Sequence, residues 1–510
     1  MNSNEIEKDR QKKLFFNIVI FILIIFMAIR VPLDTDFWWH LRAGQLSIAN
    51  GSPVMQDLTT FSVSGSNWVN HSWLSQIIYF MIQNYLGNIG IMISVAIFGT
   101  LTIFFVYIRL KSNPIINGFT VLLCVLATAV VWSPRPQLLT LLFFAILTYL
   151  LYEYPVFEKK IPTYLIPILF LVWGNLHAGF SIGVILLVSM LIGKILDFFI
   201  GNEKSNPERN KILIRWFLLI VVCVLIVMIN PNGIGIWQVQ FNTLSIPSLQ
   251  NLIPEWASPN FHELYQQPFL WIWLLLAFFF MANKSDYSFA TIVPLVLLGG
   301  LGFLSRRNYV YFAVFSIPIL SNELQRFYEI YIKKVLSESG LFEKLMKLNQ
   351  ESNTKVSKFI NLFFVGLLLF LLLGKIVYLG SPIIYDAYES ANFPKSAMLT
   401  LEKYDLSEAQ CLNSYTWGGY LSWKNPDLKI FIDGRTDLYG EKIIQDWIEM
   451  VNGGDSWEEK FAYYGINCVF LENERPIIGI LEENGWKVLF SDDQTIILTN
   501  PGNELFGLGE

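Results

Sequence analysis

Charge is scarce in this chain. Asp, Glu, Lys and Arg make up 15% of 510 residues, against about a quarter in an ordinary soluble domain. Cysteine is rarer still, at four residues, which excludes a disulfide-rich scaffold. A basic excess is missing: the formal net charge is −5. A nucleic-acid partner is therefore not expected, because such binders need a cationic surface. No P-loop and no GxSxG string occurs, so ATP-driven transport and serine-hydrolase chemistry lack support. No Cys/His spacing resembles a structural zinc site, and there is no internal repeat or low-complexity tract. What the chain has in abundance is apolar side chains, 54% of the total, with a mean hydropathy of +0.46. That much apolar surface points to a polytopic membrane protein.

A membrane-spanning helix needs about 20 mostly apolar residues to cross a hydrocarbon layer of about 30 Å. Eleven stretches qualify, at Leu14–Ile29, Gly90–Ile108, Ile116–Trp132, Leu138–Tyr152, Tyr164–Trp173, Ile182–Phe199, Ile212–Met228, Phe269–Met281, Ala290–Leu304, Tyr309–Leu320 and Phe359–Leu379. Tyr164–Trp173 and Tyr309–Leu320 are short and must extend into their flanks. Leu14–Ile29 lacks a small-residue cleavage site and runs straight into Arg30, so it reads as a span rather than a signal peptide. With the N-terminus in the cytoplasm, the inner loops and ends hold 21 Lys and Arg and the outer ones six. That asymmetry fits the preference of short cytoplasmic loops for basic residues. An odd number of spans then carries everything after Ser381 to the outside. The expected localisation is a multi-pass plasma-membrane protein with an extracytoplasmic C-terminal domain.

Two domains follow: 1–380 in the membrane and 381–510 outside it. The tail is polar and alternates strand and helix patterns, which suggests a small soluble α/β domain. Strands are expected at Cys411–Tyr415, Lys429–Ile432, Cys468–Leu471, Lys487–Phe490 and Thr495–Leu498, and helices at Glu441–Val451, Trp457–Tyr464 and Ile477–Asn484. Cys411 and Cys468 could bridge in an oxidising exterior, but two strand cysteines in one small domain are more often simply buried, and that is the expectation. The inner loop from Asn322 to Lys358 is expected to form surface helices.

The polar residues of the membrane part concentrate on one side. His40, His71, His177 and His262 all fall at outer helix ends or in outer loops, as do Asp34, Asp36, Asp57, Glu255, Arg135, Arg306 and Arg307. Ionisable groups near a membrane are costly and mark sites or pathways. A carrier should also place polar groups near the midplane, and none is evident. The first outer loop begins VPLDTDFWWHLRAGQ, with Asp34 and Asp36 directly after the first span. Phe37–Ala49 reads as a short interfacial helix carrying His40 and Arg42, with Trp38 and Trp39 suited to the headgroup layer. Trp73–Tyr85 reads as a second. The plain alternative for Asp34 and Asp36 is helix capping. Arg135 sits in WSPRPQ, and Arg306 and Arg307 in LSRRNY, two tight outer turns. Guanidinium forks suit phosphate oxygens; the alternative is snorkelling or pairing with the acids. His177 lies in WGNLHAGF and Glu255 in PEWASPNF. An interhelical hydrogen bond would account for the first, ordinary solvation for the second, and interfacial filling for His71. The triplet Asp433, Arg435 and Asp437 reads as a salt-bridged structural turn.

The strings DTDFWWHLRAGQLSIANG, NWVNHSWLSQ, RPQ, NLHAGF, NPNGIGIW, EWASP and RRN, together with TWGGYLSW and KIFIDGRTDLYG, resemble a poorly characterised family of bacterial multispanning proteins over nearly the whole chain. That family distantly resembles the C-type (GT-C) glycosyltransferases. The resemblance implies a GT-C-like α-helical bundle of about 11 spans, with two interfacial helices in the first outer loop and the C-terminal α/β domain appended. It implies transfer of a sugar from a polyprenyl-phosphate donor to a glycan, lipid or protein acceptor at the outer face, among membrane lipids. In such an inverting reaction Asp34 or Asp36 would be the base, with His40, His71 and Glu255 orienting hydroxyls. Arg135, Arg306 and Arg307 would hold the departing phosphate. Arg42, His71 and His177 are further substrate-binding candidates. A divalent metal on Asp34, Asp36 and His40 is left open, and the sequence requires none. The rival expectation is a non-enzymatic membrane scaffold or a lipid or polysaccharide transporter.

Overall fold

The structure, a computed structural model, describes residues 3–153, 160–201, 203–204, 206–244, 246, 253–333, 335, 354–404, 406 and 408–501. Each of the eleven apolar stretches falls on a helix. They are α1 (Ser3–Ala28), α3 (Trp73–Tyr107), α4 (Pro114–Thr128), α5 (Pro136–Glu153), α6 (Lys160–Leu176), α7 (Phe180–Phe199), α8 (Arg209–Ile226), and four later helices at Gln267–Asn283, Phe289–Leu304, Tyr309–Phe327 and Thr354–Leu379. Among the described residues seven helices are long and apolar enough to cross a membrane, and Thr163–Leu176 and Phe289–Leu304 are shorter apolar helices. The chain is an integral membrane protein. The expected surface helices of Asn322–Lys358 lie mostly outside the described residues; its start continues the Tyr309–Phe327 helix through a π-helical turn at Tyr328–Ile332.

Helix termini explain much of the register. Pro114 follows Asn113, whose side chain accepts from the backbone N–H of Ile115 and Ile116, a capped start with proline where no donor is needed. α3 bends at Gly87, which takes φ 62°, a left-handed geometry that costs a side chain dearly. The first part of α3 is the segment expected as a second interfacial helix; it is joined to the spanning part rather than separate. The other expected interfacial helix, α2 (Phe37–Ala49), forms over the expected residues.

The C-terminal region carries a five-stranded sheet of β1 (Gln410–Asn413), β2 (Lys429–Ile430), β3 (Cys468–Glu472), β4 (Lys487–Ser491) and β5 (Thr495–Thr499), ordered β2-β1-β3-β5-β4. β1 runs parallel to β2 and β3, and β5 antiparallel to β3 and β4. All five expected strands are present within a residue or two at most ends. Cys411 stands opposite Cys468 in the parallel β1–β3 register, and the two are joined as a disulfide. The expectation of two separate thiols is thereby corrected: strand pairing, invisible in the sequence, brings them face to face.

The sheet does not stand apart from the first outer loop. Thr60 bridges Ile430 in parallel. The Phe61 N–H donates to the Ile430 carbonyl at 3.1 Å, and the Ile430 N–H to the Thr59 carbonyl at 3.3 Å. The loop thus adds a short strand to the β2 edge and covers it. α2 packs its aromatic face here as well. Trp38 meets Tyr420 edge-on at 5.1 Å between ring centroids and Phe393 at 5.5 Å. Such pairs contribute about 0.5–1.5 kcal/mol beyond their burial. Trp38 and Trp39 are only 2% and 8% exposed. They are anchors inside the protein rather than headgroup-layer side chains, because the C-terminal region covers α2.

Candidate active site

Residues 34, 36, 135 and 255 come from three different loops and meet at one point. Arg135 is the hub. Its Nε lies 2.5 Å from Asp34 Oδ1, and its Nη1 3.2 Å from Asp36 Oδ2 and 2.9 Å from Glu255 Oε1. The backbone of Arg135 is held between Pro134 and Pro136, which restrict the chain on either side, and Tyr79 donates its hydroxyl to the Arg135 carbonyl at 3.1 Å. Glu255 sits in a one-turn 3₁₀ helix, Pro254–Trp256. The connection between the Phe289–Leu304 and Tyr309–Phe327 helices clasps that turn: the Arg307 N–H donates to the Glu255 carbonyl at 3.1 Å, the Ser305 hydroxyl to the same carbonyl at 2.9 Å, and the Arg306 N–H to the Ala257 carbonyl at 3.0 Å.

The two aspartates differ. Asp34 Oδ1 takes both the Arg135 Nε–H and the Asp36 backbone N–H, the latter at 2.9 Å. Asp36 accepts from Trp39 Nε1 at 3.2 Å and stays more exposed, 26% against 9% for the side chain. Burial pushes the Asp36 carboxyl up to about 6; Arg135 opposes the rise, and Asp34 and Glu255 add to it. Burial works against the Arg135 charge, but Asp34, Asp36 and Glu255 hold its pKa well above the usual value.

Arg307 is different from Arg135. Its guanidinium lies 5.4 Å from the centroid of the Trp256 ring, and no carboxylate within ion-pair distance neutralises it among the described residues. Arg306 turns away from the cluster, its Nε 3.5 Å from the Ser258 carbonyl. Arg42 also stays apart: it bonds Gln45 at 2.7 Å and lines a small pocket with Trp39, Ser422, Asp433 and Arg435.

Three of the four histidines, His40, His71 and His177, form a row beside the acids, while His262 is exposed. His40 is buried against Trp39, ring centroids 3.5 Å apart. Its pKa is held well below the usual value by burial, then by His71 and Arg135. His177 packs on His71 at 5.4 Å between centroids, and its Nδ1 accepts the Gly179 N–H at 3.0 Å. Its ring proton therefore sits on Nε2. Burial, His71, Arg307 and His40 lower its pKa well below the usual value. His71 Nδ1 lies 3.7 Å from Asp437 Oδ2.

Sequence reasoning missed what the C-terminal region does here. A Cβ on Gly434 would collide with the Asp36 carboxylate, and one on Gly419 would sit 2.9 Å from the Trp39 nitrogen. Arg435 pairs with Asp57 of the first loop at 2.9 Å and with Asp433 at 2.8 Å, all three nearly inaccessible. Trp68 lies over the Arg435 guanidinium at 5.1 Å and donates to Asp437 at 3.3 Å. The Asp433–Arg435–Asp437 triplet is a salt-bridged turn, and it also fastens the sheet to the first loop. The repeated small residues of IDGRTD and TWGGY were the available signal.

A metal held by Asp34, Asp36 and His40 does not fit these residues. Both aspartates are engaged with Arg135, a cation that a divalent ion would have to displace. No group of three His, Cys, Asp or Glu among the described residues is arranged to hold a metal ion.

The fold is similar to those of an archaeal oligosaccharyltransferase and of ArnT. Over 91% of this chain and 70% of the other, it superposes on the archaeal oligosaccharyltransferase AglB from Archaeoglobus fulgidus in complex with an inhibitory peptide and a dolichol-phosphate, with a TM-score of 0.58 and 12% identity. The same oligosaccharyltransferase in complex with Zn and sulfate gives a TM-score of 0.52 over 89% of this chain and 68% of the other, again at 12% identity. ArnT from Cupriavidus metallidurans in the apo state gives 0.51 at 11% identity over 98% of this chain and 99% of the other. No family model matches the chain, and no curated protein matches it in sequence.

Proposed function

We propose that this protein is an inverting glycosyltransferase that moves a sugar from a polyprenyl-phosphate donor to an acceptor at the outer face of the membrane. The observation that carries the reading is the meeting of Asp34, Asp36, Arg135 and Glu255, with Arg307 tied through its backbone N–H to the Glu255 carbonyl, at one end of a GT-C bundle. AglB, with the same fold, was solved with a dolichol-phosphate. The bundle spans the membrane with its N-terminus inside, and residues 381–510 form the extracytoplasmic domain. The disulfide suits that compartment.

In this reading Asp36 is the general base. It takes the proton of the acceptor hydroxyl as that oxygen attacks C1 of the sugar. Asp34 is the less suitable candidate, since its Oδ1 already accepts two donors. The bond from C1 to the phosphate oxygen breaks and its electron pair stays on the departing phosphate. Arg307, without a carboxylate partner among the described residues, stabilises that charge. A phosphate leaving group needs no proton, so one basic carboxylate suffices. Glu255, His40, His71 and His177 face the acceptor and sugar hydroxyls. No step is assigned to a metal.

The test is the Asp36→Asn variant, expressed in place of the native chain, with surface glycans compared by mass spectrometry. Loss of one glycan modification by at least about 100-fold, with normal membrane insertion, is expected for removal of a general base. Glycans unchanged by both the variant and complete absence of the protein would refute the reading.

A further inference from the structure

We infer that Arg135 is a resident cation occupying the position between Asp34, Asp36 and Glu255 that a divalent metal ion would otherwise take. The inference concerns the same cluster as the transferase reading but rests on its geometry alone. Three carboxylates drawn from two loops repel one another and need a shared positive partner, which a third loop provides. Arg135 supplies it from two adjacent nitrogens of one planar group, with contacts of 2.5, 3.2 and 2.9 Å. A divalent ion binds carboxylate oxygens at about 2.0–2.6 Å, which the guanidinium blocks by standing where the ion would stand. The arginine is built in rather than incidental. Prolines on both sides fix its backbone, its carbonyl takes the Tyr79 hydroxyl at 3.1 Å, and its N–H donates to the Ser133 carbonyl at 2.7 Å. A planar fork also suits this role in a way an ammonium point charge does not.

The consequence is specific. The wild-type site has no requirement for a divalent cation: no three acidic or histidine side chains among the described residues are arranged to hold one, and removal of the guanidinium frees the three carboxylates to turn toward a shared ion. The full chain in lipid nanodiscs is titrated with Mn2+ alone, and bound ion is read from loss of the free Mn2+ electron paramagnetic resonance signal. Wild type should show no saturable site at the cluster. Arg135→Met, which keeps an unbranched apolar stem, should bind about one Mn2+ per chain at least about tenfold more tightly than wild type. Mn2+ should also raise its unfolding temperature, and the double variant with Asp34→Asn should lose both effects. Arg135→Lys retains the charge and should gain no ion. A saturable Mn2+ in wild type that disappears in Asp36→Asn would overturn the inference. So would a folded Arg135→Met chain that binds no more Mn2+ than wild type. If Arg135→Met does not fold, the wild-type and Arg135→Lys titrations decide: no saturable ion in either supports the inference, and one in either overturns it.

Discussion

Asp36 and Asp34 are two residues apart, yet their surroundings divide them into different parts. Asp34 is enclosed and doubly engaged, while Asp36 keeps accessible surface and a carboxyl shifted up to about 6 by burial. A base must be ionised to work, so below its pKa the proposed reaction fails. Transfer measured against pH should therefore rise through a midpoint near 6 and level off above it. A profile flat from pH 5 to 8 would count against Asp36 as the base. Several of these residues were legible in the sequence, because acids, arginines and histidines crowded into the outer ends of apolar stretches are costly unless used. Their division of labour was not. Arg135 and Arg307 look alike in sequence, and only the fold shows that one is surrounded by carboxylates while the other lies over Trp256 with none among the described residues. Arg42 and Arg306, equally plausible by position, turn elsewhere.

At the scale of elements, the first outer loop and the IDGRTD turn act as one unit. Apolar periodicity was enough to place the helices, including α2 at Phe37–Ala49, since a helix has a local signature. The long-range pairings were not legible. Nothing near Asp57 announces that Arg435 will neutralise it, and nothing near Thr60 announces a bridge to Ile430. Two outcomes test this junction. Arg435→Met leaves Asp57 and Asp433 buried without their partner, a loss of about 3–5 kcal/mol, and should lower the unfolding temperature seen by intrinsic Trp fluorescence by several degrees. Gly434→Ala pushes a methyl group against the Asp36 carboxylate. It should leave the unfolding temperature nearer wild type while reducing transfer by about 100-fold, the cost of an ångström-scale misplacement. Wild-type transfer in Gly434→Ala would separate the C-terminal turn from the site.

Viewed whole, the molecule keeps its two ends chemically distinct. One end holds the acids, Arg307, the histidine row and the sheet. The opposite end holds pairings such as Asn113 with Gln325 and Asn283 with Glu323. Alternating helices carry the chain between them, and the C-terminal sheet closes over the first end. The strongly apolar composition made a membrane bundle legible, and the 2.0 and 3.6 periodicities made the α/β tail legible. The shared core of α2 with the sheet was not, because packing between segments hundreds of residues apart has no local pattern. The central claim is that this end receives a polyprenyl phosphate beside the acid cluster. An electron cryo-microscopy structure of the full chain in nanodiscs with undecaprenyl phosphate tests it most directly. Phosphate density within hydrogen-bond reach of Arg307, with the lipid tail leaving sideways between helices, is the result expected. A chain that takes up no lipid phosphate there, or holds it only at the opposite end of the bundle, would contradict the account.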